Sequence, residues 1–434
     1  MTSNERQTPF DGVLWRLLAL LGPLGHTSLI MVLFLLRSLR NPRAFRTRHG
    51  ANLAGPPALR WLLISLGLLV TGTLISAAAA SPHRWVNWTT VAGFALVNFL
   101  MIKEGAAFAY SLHRKTLPER PGETADTDGP SPLDSLLAWV TLGGLLSVAW
   151  GIGLMLVRHP QRVFSPFLGE NGYGTLLILS GGLGFGYLTR WVQVELSRTG
   201  GPQAGPGVRT TRGRLGLSLI PWLYLTLTMV VLAATRSRGA WLGFTLFLLV
   251  FAAGQPHKQR LATSLALLGF LLLLNVPPLQ ARFDSILSLE ANDDRVQIWQ
   301  AAVDMIRAHP WLGVGPGNFG IALSHYGGPG LAAATAHNLL LNTWAEYGIF
   351  VLILLIVYLG SIVWFSARLV RHDPPNPLPR ALLGVNLGVL LHQMVDHTLF
   401  SLEILGFFMA VNAVAIAGLT PPHPPAGSAV RSGG

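Results

Sequence analysis

The amino-acid sequence predicts an all-α, polytopic membrane protein. Of the 434 residues, 51% are hydrophobic and only 12% are charged, and long apolar runs recur along the whole chain. A helix of about 20 apolar residues is long enough to cross the hydrocarbon core of a bilayer. The chain contains no cysteine, which excludes disulfides and thiolate metal sites. We therefore expect a single integral membrane domain over residues 1–434.

Hydropathy predicts about eleven membrane-spanning helices. They lie at residues 13–36, 60–80, 86–102, 135–156, 174–190, 214–234, 239–254, 261–276, 349–368, 380–396 and 401–420. The break Gly22-Pro23-Leu24-Gly25 can divide the first run into a hairpin of short helices, because proline interrupts helical hydrogen bonding. That division gives about twelve spans, with both termini on the same side of the membrane.

The basic residues predict how the chain is oriented. Short connections rich in Lys and Arg stay in the cytoplasm, and here the strongly basic connections follow the odd-numbered spans. These connections are residues 37–48, 103–120, 190–214, 257–260 and 368–380. The joint 235–238, the loop 158–173 and the helical loop 277–337 then face the periplasm of a bacterial inner membrane. The basic connections also explain the net charge of +12, so we expect no nucleic-acid partner.

Two arginines occupy the joint Thr235-Arg236-Ser237-Arg238-Gly239, on the face where the charge rule disfavours them. A guanidinium near the membrane boundary is costly unless it reaches water or meets an anion. Its planar fork suits phosphate, to which it donates two parallel hydrogen bonds. Arg236 and Arg238 are therefore candidate phosphate ligands. The alternative is a pair of arginines that extend to lipid headgroups.

A third arginine, Arg295, lies in the first turn of an amphipathic helix that the sequence predicts over residues 294–309. The predicted apolar stripe of this helix consists of Val296, Trp299, Val303 and Ile306. An anion bound at the helix N-terminus would meet both the guanidinium and the positive end of the helix dipole. The alternative is a local ion pair between Arg295 and a neighbouring aspartate.

Two histidine-containing segments are candidates for acid–base chemistry. His337 is expected at the outer membrane surface, near the start of a helix, where a neutral imidazole can act as a general base. His392 and Asp396 lie one helical turn apart near the end of a predicted span, and ionisable groups at that depth usually face a cavity. They can orient another residue, bind a metal or stabilise packing. The stretch from Gly313 to Gly317 lacks the strand and lysine of a phosphate loop, so we interpret it as structural.

Several ordered motifs between residues 160 and 400 resemble the O-antigen ligase and polymerase superfamily of membrane glycosyltransferases. The matching pieces are Ser237-Arg238-Gly239-Ala240-Trp241-Leu242, Arg295 with Trp299, His309-Pro310 before Gly313-Val314-Gly315, and His337-Asn338 before Glu346-Tyr347-Gly348. The segment 164–173 is also similar, although Glu170-Asn171 replaces the more usual Pro-Asn.

The resemblance implies transfer of a glycan from undecaprenyl diphosphate to a sugar hydroxyl of the lipid A core, on the periplasmic face. It implies that Arg238 and Arg295 bind the donor diphosphate, with Arg236 beside them, that His337 is the general base, and that Asp396 is an acidic partner. The expected reaction is an inverting single displacement without a metal or other cofactor. Arginines can supply the positive charge that a departing diphosphate requires.

Other functions remain open at this point. An O-antigen polymerase uses the same donor with a second lipid-linked glycan as acceptor, and a protein O-oligosaccharyltransferase uses a Ser or Thr side chain. The moderate length of the loop 277–337 favours the ligase. A lipid-linked glycan transporter would also use arginines that line a cavity, but it leaves His337 without a task. A purely structural membrane protein does not explain ionisable groups gathered on one face.

Overall fold

A computed structural model describes residues 9–24, 57–79, 132–198, 211–285, 293–328 and 330–419. Their regular structure is entirely helical, which confirms the predicted all-α class. The α-helices are α1 Pro9–Leu21, α2 Pro57–Ala79, α3 Pro132–Arg158, α4 Glu170–Arg198, α5 Thr211–Ala234, α6 Arg238–Ala253, α7 His257–Leu274, α8 Pro277–Asp284, α9 Asp293–Ala308, α10 Phe319–Tyr326, α11 Leu339–His372, α12 Pro377–Gln393 and α13 Leu402–Leu419.

These helices follow the predicted spans wherever the chain is described. By length and hydropathy, three described segments can cross a membrane, Leu133–Arg158, Gly213–Ala234 and Leu339–His372, and α6 is among the shorter apolar helices. The chain is therefore a helical membrane protein. The predicted span 86–102 lies outside the described residues, so the total of eleven or twelve stays a prediction. The interruption predicted in the first apolar run begins at the expected place, because α1 ends at Leu21 and a 3-10 turn follows at Gly22–Leu24.

The centre of the bundle depends on small residues that let helices approach closely. Helix α12 packs mainly against α4 and α6. Gly388 of α12 faces Gly243 of α6, and a Cβ built on either glycine would lie 2.4 Å from the carbonyl oxygen of the other. A Cβ on Gly186 of α4 would lie 2.3 Å from the Cβ of Ala381. Such contacts favour association in a membrane, where packing replaces the hydrophobic effect between helices.

One end of the bundle gathers the connections that carry the candidate residues. The α3–α4 connection meets the end of α5 through a hydrogen bond from Val163 N to Ala234 O of 3.0 Å. The start of α11 meets the end of α12 through a hydrogen bond from Asn338 Nδ2 to Met394 O of 2.8 Å. The N-termini of α4, α6 and α11 therefore meet the C-termini of α5 and α12 at this end.

Helices α9 and α10 form a second, smaller hydrophobic cluster above that end. The predicted stripe of α9 was half right, because Ile306 is buried and Trp299 packs against the cluster, whereas Val296 and Val303 are only partly buried. The buried residues of α9 are Ile298, Ala301, Ala302, Met305 and Ile306. Ala301 and Ala302 in this buried stripe let α10 and the start of α11 approach α9 closely. Because alanine is less hydrophobic than valine or tryptophan, a prediction from hydrophobicity favoured the neighbouring face of the helix.

The glycine-rich stretch is structural, as predicted. Its backbone pairs with the first part of α11, because Val314 N donates to Ala345 O at 2.8 Å and Gly315 N donates to Glu346 O at 2.9 Å. Gly348 interrupts α11 with φ of 83°, and a Cβ there would lie 2.0 Å from Trp311 O. Only glycine adopts this conformation against a backbone so close.

Candidate active site

The joint between α5 and α6 brings two residues of the Ser-Arg-Gly motif, Ser237 and Gly239, against the end of α12. Ser237 occupies the N-cap position of α6 but makes no capping hydrogen bond. Its hydroxyl lies instead 3.5 Å from His392 Nε2. A Cβ on Gly239 would lie 2.6 Å from His392 Cδ2, so glycine allows this approach. Arg238 is thereby held at the edge of the joint, at the start of its helix.

Backbone and hydroxyl oxygens orient three of the arginines at this end. Arg238 donates to Ser285 O at 2.7 Å and to Ser285 Oγ at 3.1 Å. Arg282 donates to the carbonyl of Arg236 at 3.4 Å. Arg295 donates to the carbonyl of Val395. These acceptors carry no charge, so they direct the guanidinium groups without neutralising them.

A further arginine, Arg162, reaches the same region from the α3–α4 connection. It donates to Thr235 O at 3.2 Å and forms an ion pair of 2.8 Å with Glu170. It also donates to Asn171 Oδ1 at 3.4 Å. The residues Glu170 and Asn171, which depart from the usual family pattern, thus both contact Arg162.

We call Arg162, Arg236, Arg238, Arg282 and Arg295 the arginine cluster. Burial lowers the pKa of Arg282 from its ordinary value, and the charges of Arg162, Arg295 and Arg236 lower it further, while Glu170 acts in the opposite direction. The positive charges of Arg282, Arg295 and Arg162 also repel the charge of Arg238. Among the described residues, Glu170 is the only carboxylate that forms an ion pair with the cluster. The cluster is therefore a site of excess positive charge, suited to a multivalent anion.

His337 and Asp396 approach each other at the edge of this cluster. His337 Nδ1 lies 3.6 Å from Asp396 Oδ1, and 37% of the His337 side chain is exposed. The backbone amide of His397 donates to the same carboxylate oxygen at 2.8 Å. His337 has φ of 48°, in the left-handed region. A residue other than glycine in that region is strained, and such strain is common at functional sites.

Surrounding side chains hold the backbone of His337 in place. Asn338 caps α11, because its Oδ1 accepts from the amides of Leu340 and Leu341. Trp299 Nε1 donates to Ala336 O at 2.8 Å. The partners come from α9 and α11, so the imidazole is presented from a rigid support.

The connection Met394–His397 lies between Arg295 of the arginine cluster and His337. Its carbonyls accept hydrogen bonds from Asn338, at Met394, and from Arg295, at Val395. The next residue, Asp396, faces His337. Three of the five predicted site residues, Arg295, His337 and Asp396, are thus brought together through one short segment. Arg238 lies at the start of α6, where it donates to Ser285. Arg236 contributes its carbonyl to Arg282 and its charge to the cluster, and has φ of 53°.

Arg162 and Arg282 were not singled out from the sequence. Both lie in segments whose predicted face disfavours basic residues, which is the signal that identified Arg236 and Arg238. That signal could have found them, but it does not tell which basic residues converge. No three His, Asp or Glu side chains among the described residues are grouped as a metal would require.

Comparison with known proteins supports the predicted resemblance. Residues 223–356 match the family model described as O-antigen ligase. The chain is also similar to the O-antigen ligase of Pseudomonas aeruginosa (strain PAO1), with 26% identity over 248 residues, which cover 55% of this chain and 53% of that protein. The match thus spans about half the length of this curated relative. Residues 223–356, which include Arg238, Arg295 and His337, are thus similar to the O-antigen ligase family.

Proposed function

We propose that the chain is an O-antigen ligase of the bacterial inner membrane. It transfers a glycan from undecaprenyl diphosphate to a sugar hydroxyl of the lipid A core on the periplasmic face. The observation that supports this most is the shared connection Met394–His397, which accepts a hydrogen bond from Arg295 of the arginine cluster and carries the carboxylate that faces His337. An anionic leaving group and an activated hydroxyl are the two requirements of this transfer.

The arginine cluster binds the donor diphosphate. Arg238, Arg282 and Arg295 are already oriented by uncharged oxygens, so little reorganisation accompanies binding. Positive groups that are fixed before the reaction stabilise the charge that develops on the leaving diphosphate. The N-terminus of α6 adds the positive end of its dipole.

His337 is the general base. Its Nδ1 side faces Asp396, which leaves Nε2 for the acceptor hydroxyl. Nε2 takes the hydroxyl proton while the oxygen attacks the anomeric carbon, and the bond from that carbon to the diphosphate oxygen breaks. Undecaprenyl diphosphate departs with the electron pair, and attack from the opposite side inverts the anomeric configuration. Asp396 stabilises the imidazolium that forms and keeps the ring oriented.

The test uses purified full-length protein, undecaprenyl-diphosphate-linked glycan and lipid A core, with EDTA present, and separates the products by gel electrophoresis. We expect glycan on lipid A with the wild type, and no product with His337→Ala. His325→Ala serves as the control, because His325 is an exposed histidine of α10 outside the site. EDTA is expected to have no effect, and an activity that requires added divalent metal would contradict the metal-independent mechanism.

Other products would identify other functions. Longer lipid-linked chains without modified lipid A would indicate a polymerase, and glycan on a Ser or Thr side chain would indicate a protein O-oligosaccharyltransferase. Movement of the donor across vesicle membranes without bond cleavage would indicate a transporter. Each of these results would overturn the ligase proposal.

A further inference from the structure

His392 is a fully buried titratable residue that the mechanism above does not use. It lies in the last turn of α12. Its Nδ1 is 3.1 Å from Thr175 Oγ1 of α4, and its Nε2 is 4.0 Å from Asp396 Oδ2. The imidazole thus lies between a hydroxyl and the carboxylate that faces His337. Burying such a polar ring is costly unless its hydrogen bonds are satisfied.

The neighbouring hydrogen bonds have a definite direction. Gln393 Oε1 accepts from Leu399 N at 2.9 Å, so its Nε2 must be the group that donates to Thr398 Oγ1 at 2.8 Å. The Thr398 hydroxyl is then free to donate to Thr175 Oγ1, at 2.7 Å. This arrangement leaves the Thr175 proton for His392 Nδ1 or for a backbone carbonyl.

The carboxylate decides between the two tautomers of His392. An ionised carboxylate only accepts hydrogen bonds, so a lone pair on Nε2 would be repelled by Asp396. The favoured tautomer therefore carries its proton on Nε2, toward Asp396, and accepts the Thr175 hydroxyl at Nδ1. The two oxygens of Asp396 then face two histidines, with Oδ1 toward His337 and Oδ2 toward His392.

The Ser-Arg-Gly motif approaches His392 from the start of α6. The Ser237 hydroxyl is directed at His392 Nε2 rather than at the start of its own helix. Gly239 removes the side chain that would otherwise collide with the His392 ring. The next residue after Ser237 is Arg238 of the arginine cluster. His392 therefore contacts both the segment that bears a diphosphate ligand and the carboxylate beside the base.

We propose that His392 is a positioning residue that fixes Asp396 relative to His337 and couples this pair to the Ser237–Gly239 segment. This inference rests on the proposed ligase function. The Nε2–H group attracts Oδ2 electrostatically from 4.0 Å, which favours the orientation in which Oδ1 faces His337. The charged and titratable groups around Asp396 are His337, His392, His397 and Arg295. Of these, only His392 is fully buried between α4, α6 and α12.

Two conservative variants separate the roles of the two ring nitrogens. The amide nitrogen of glutamine reaches the position of Nε2, whereas asparagine reaches only that of Nδ1. We expect His392→Gln to keep kcat within about threefold of the wild type, and His392→Asn and His392→Leu to lower kcat about tenfold or more. The donor KM is expected to change little, because the arginines remain in place.

Separate measurement of kcat and KM distinguishes positioning from a general loss of structure. When Asp396 turns away, His337 loses its carboxylate neighbour while the arginines stay in place, so kcat should fall in the Asn and Leu variants and the donor KM should not change. The control is Asn386→Leu, which removes a buried polar group elsewhere on α12, hydrogen-bonded to Ser366 and Asn412. It is expected to lower the melting temperature and to leave kcat close to that of the wild type.

The measurements are kcat, KM and melting temperature for each purified full-length variant. Equal losses of kcat in the Gln and Asn variants, or an unchanged kcat in the Leu variant, would overturn the positioning role. If the Leu variant does not fold, the comparison of Gln with Asn decides alone. An active wild type that needs His337 but tolerates every His392 variant would refute only this inference. A wild type without glycan transfer would refute the proposed function and the positioning role together.

Discussion

Arginines at the two ends of α4 have different partners. Arg190, about 30 Å along the helix from Glu170, forms an ion pair with Asp134 of α3. At the other end, Arg238, Arg282 and Arg295 donate to uncharged oxygens. A carboxylate neutralises an arginine within the fold, whereas a carbonyl only orients it. At the second end only Arg162 of the arginine cluster is paired with a carboxylate, so most of the positive charge is left for the anion that the proposed function requires.

The histidine residues repeat this contrast on a smaller scale. His337 is partly exposed and has one carboxylate neighbour, whereas His392 is buried and surrounded by hydroxyl groups and the same carboxylate. Exposure suits a group that must meet an acceptor, and burial suits one that must hold a neighbour. In the proposed mechanism, the base and the positioning residue are therefore two histidines in different environments.

The largest effect is expected from His337, whose loss should lower the rate of transfer but not the affinity for the donor. His337→Ala should lower kcat about a thousandfold, the contribution typical of a general base. The affinity for undecaprenyl-diphosphate glycan should remain close to that of the wild type, because the arginines are unaffected. Transfer assays and donor titration of the same preparation measure the two quantities. Full transfer activity in this variant would remove His337 as the base.

The next effect concerns two arginines of the arginine cluster. Arg238→Ala and Arg295→Ala should each weaken donor binding about tenfold to a hundredfold, since a hydrogen bond to a charged group contributes about 1.5–3 kcal/mol. Arg238→Lys should restore only part of the affinity, because lysine lacks the planar fork. Donor titration is the measurement, and unchanged affinity in both alanine variants would contradict the assignment of the diphosphate site.

A smaller effect of opposite sign is expected from Glu170. Its negative charge attracts Arg162 and Arg282. The same charge should repel the incoming diphosphate. Glu170→Gln should therefore lower the donor KM about fivefold at low ionic strength, by Coulomb repulsion in a water-like dielectric, with less effect at high salt. A weaker donor affinity in this variant would show instead that Glu170 is needed to orient Arg162.

The smallest effect is expected at the opposite end of α4. Arg190→Gln and Asp134→Asn should leave donor affinity unchanged and should lower stability by about 1 kcal/mol or less, because the pair is partly exposed. Thermal unfolding and donor titration test both statements. A loss of donor binding in either variant would break the distinction between the two ends.

Much of the fold could be predicted from the sequence. Long apolar runs predicted the helices, because a membrane requires every backbone hydrogen bond to be satisfied within the helix. The stripe of α9 was predicted less well, since the positions of Ala301 and Ala302 matter for close approach rather than for hydrophobicity. The interruption of α11 at Gly348 was not predicted, because it depends on the contact with the backbone of Trp311.

The sequence by itself determined the helical class, and it selected Arg236, Arg238, Arg295, His337 and Asp396 as candidate residues through local patterns and ordered motifs. Only the tertiary structure decided that Arg162 and Arg282 join the cluster and that His392 lies between Ser237 and Asp396. The physical reason is that these contacts join segments far apart in the chain. Their distances depend on the packing of α4, α6 and α12, which no local pattern encodes.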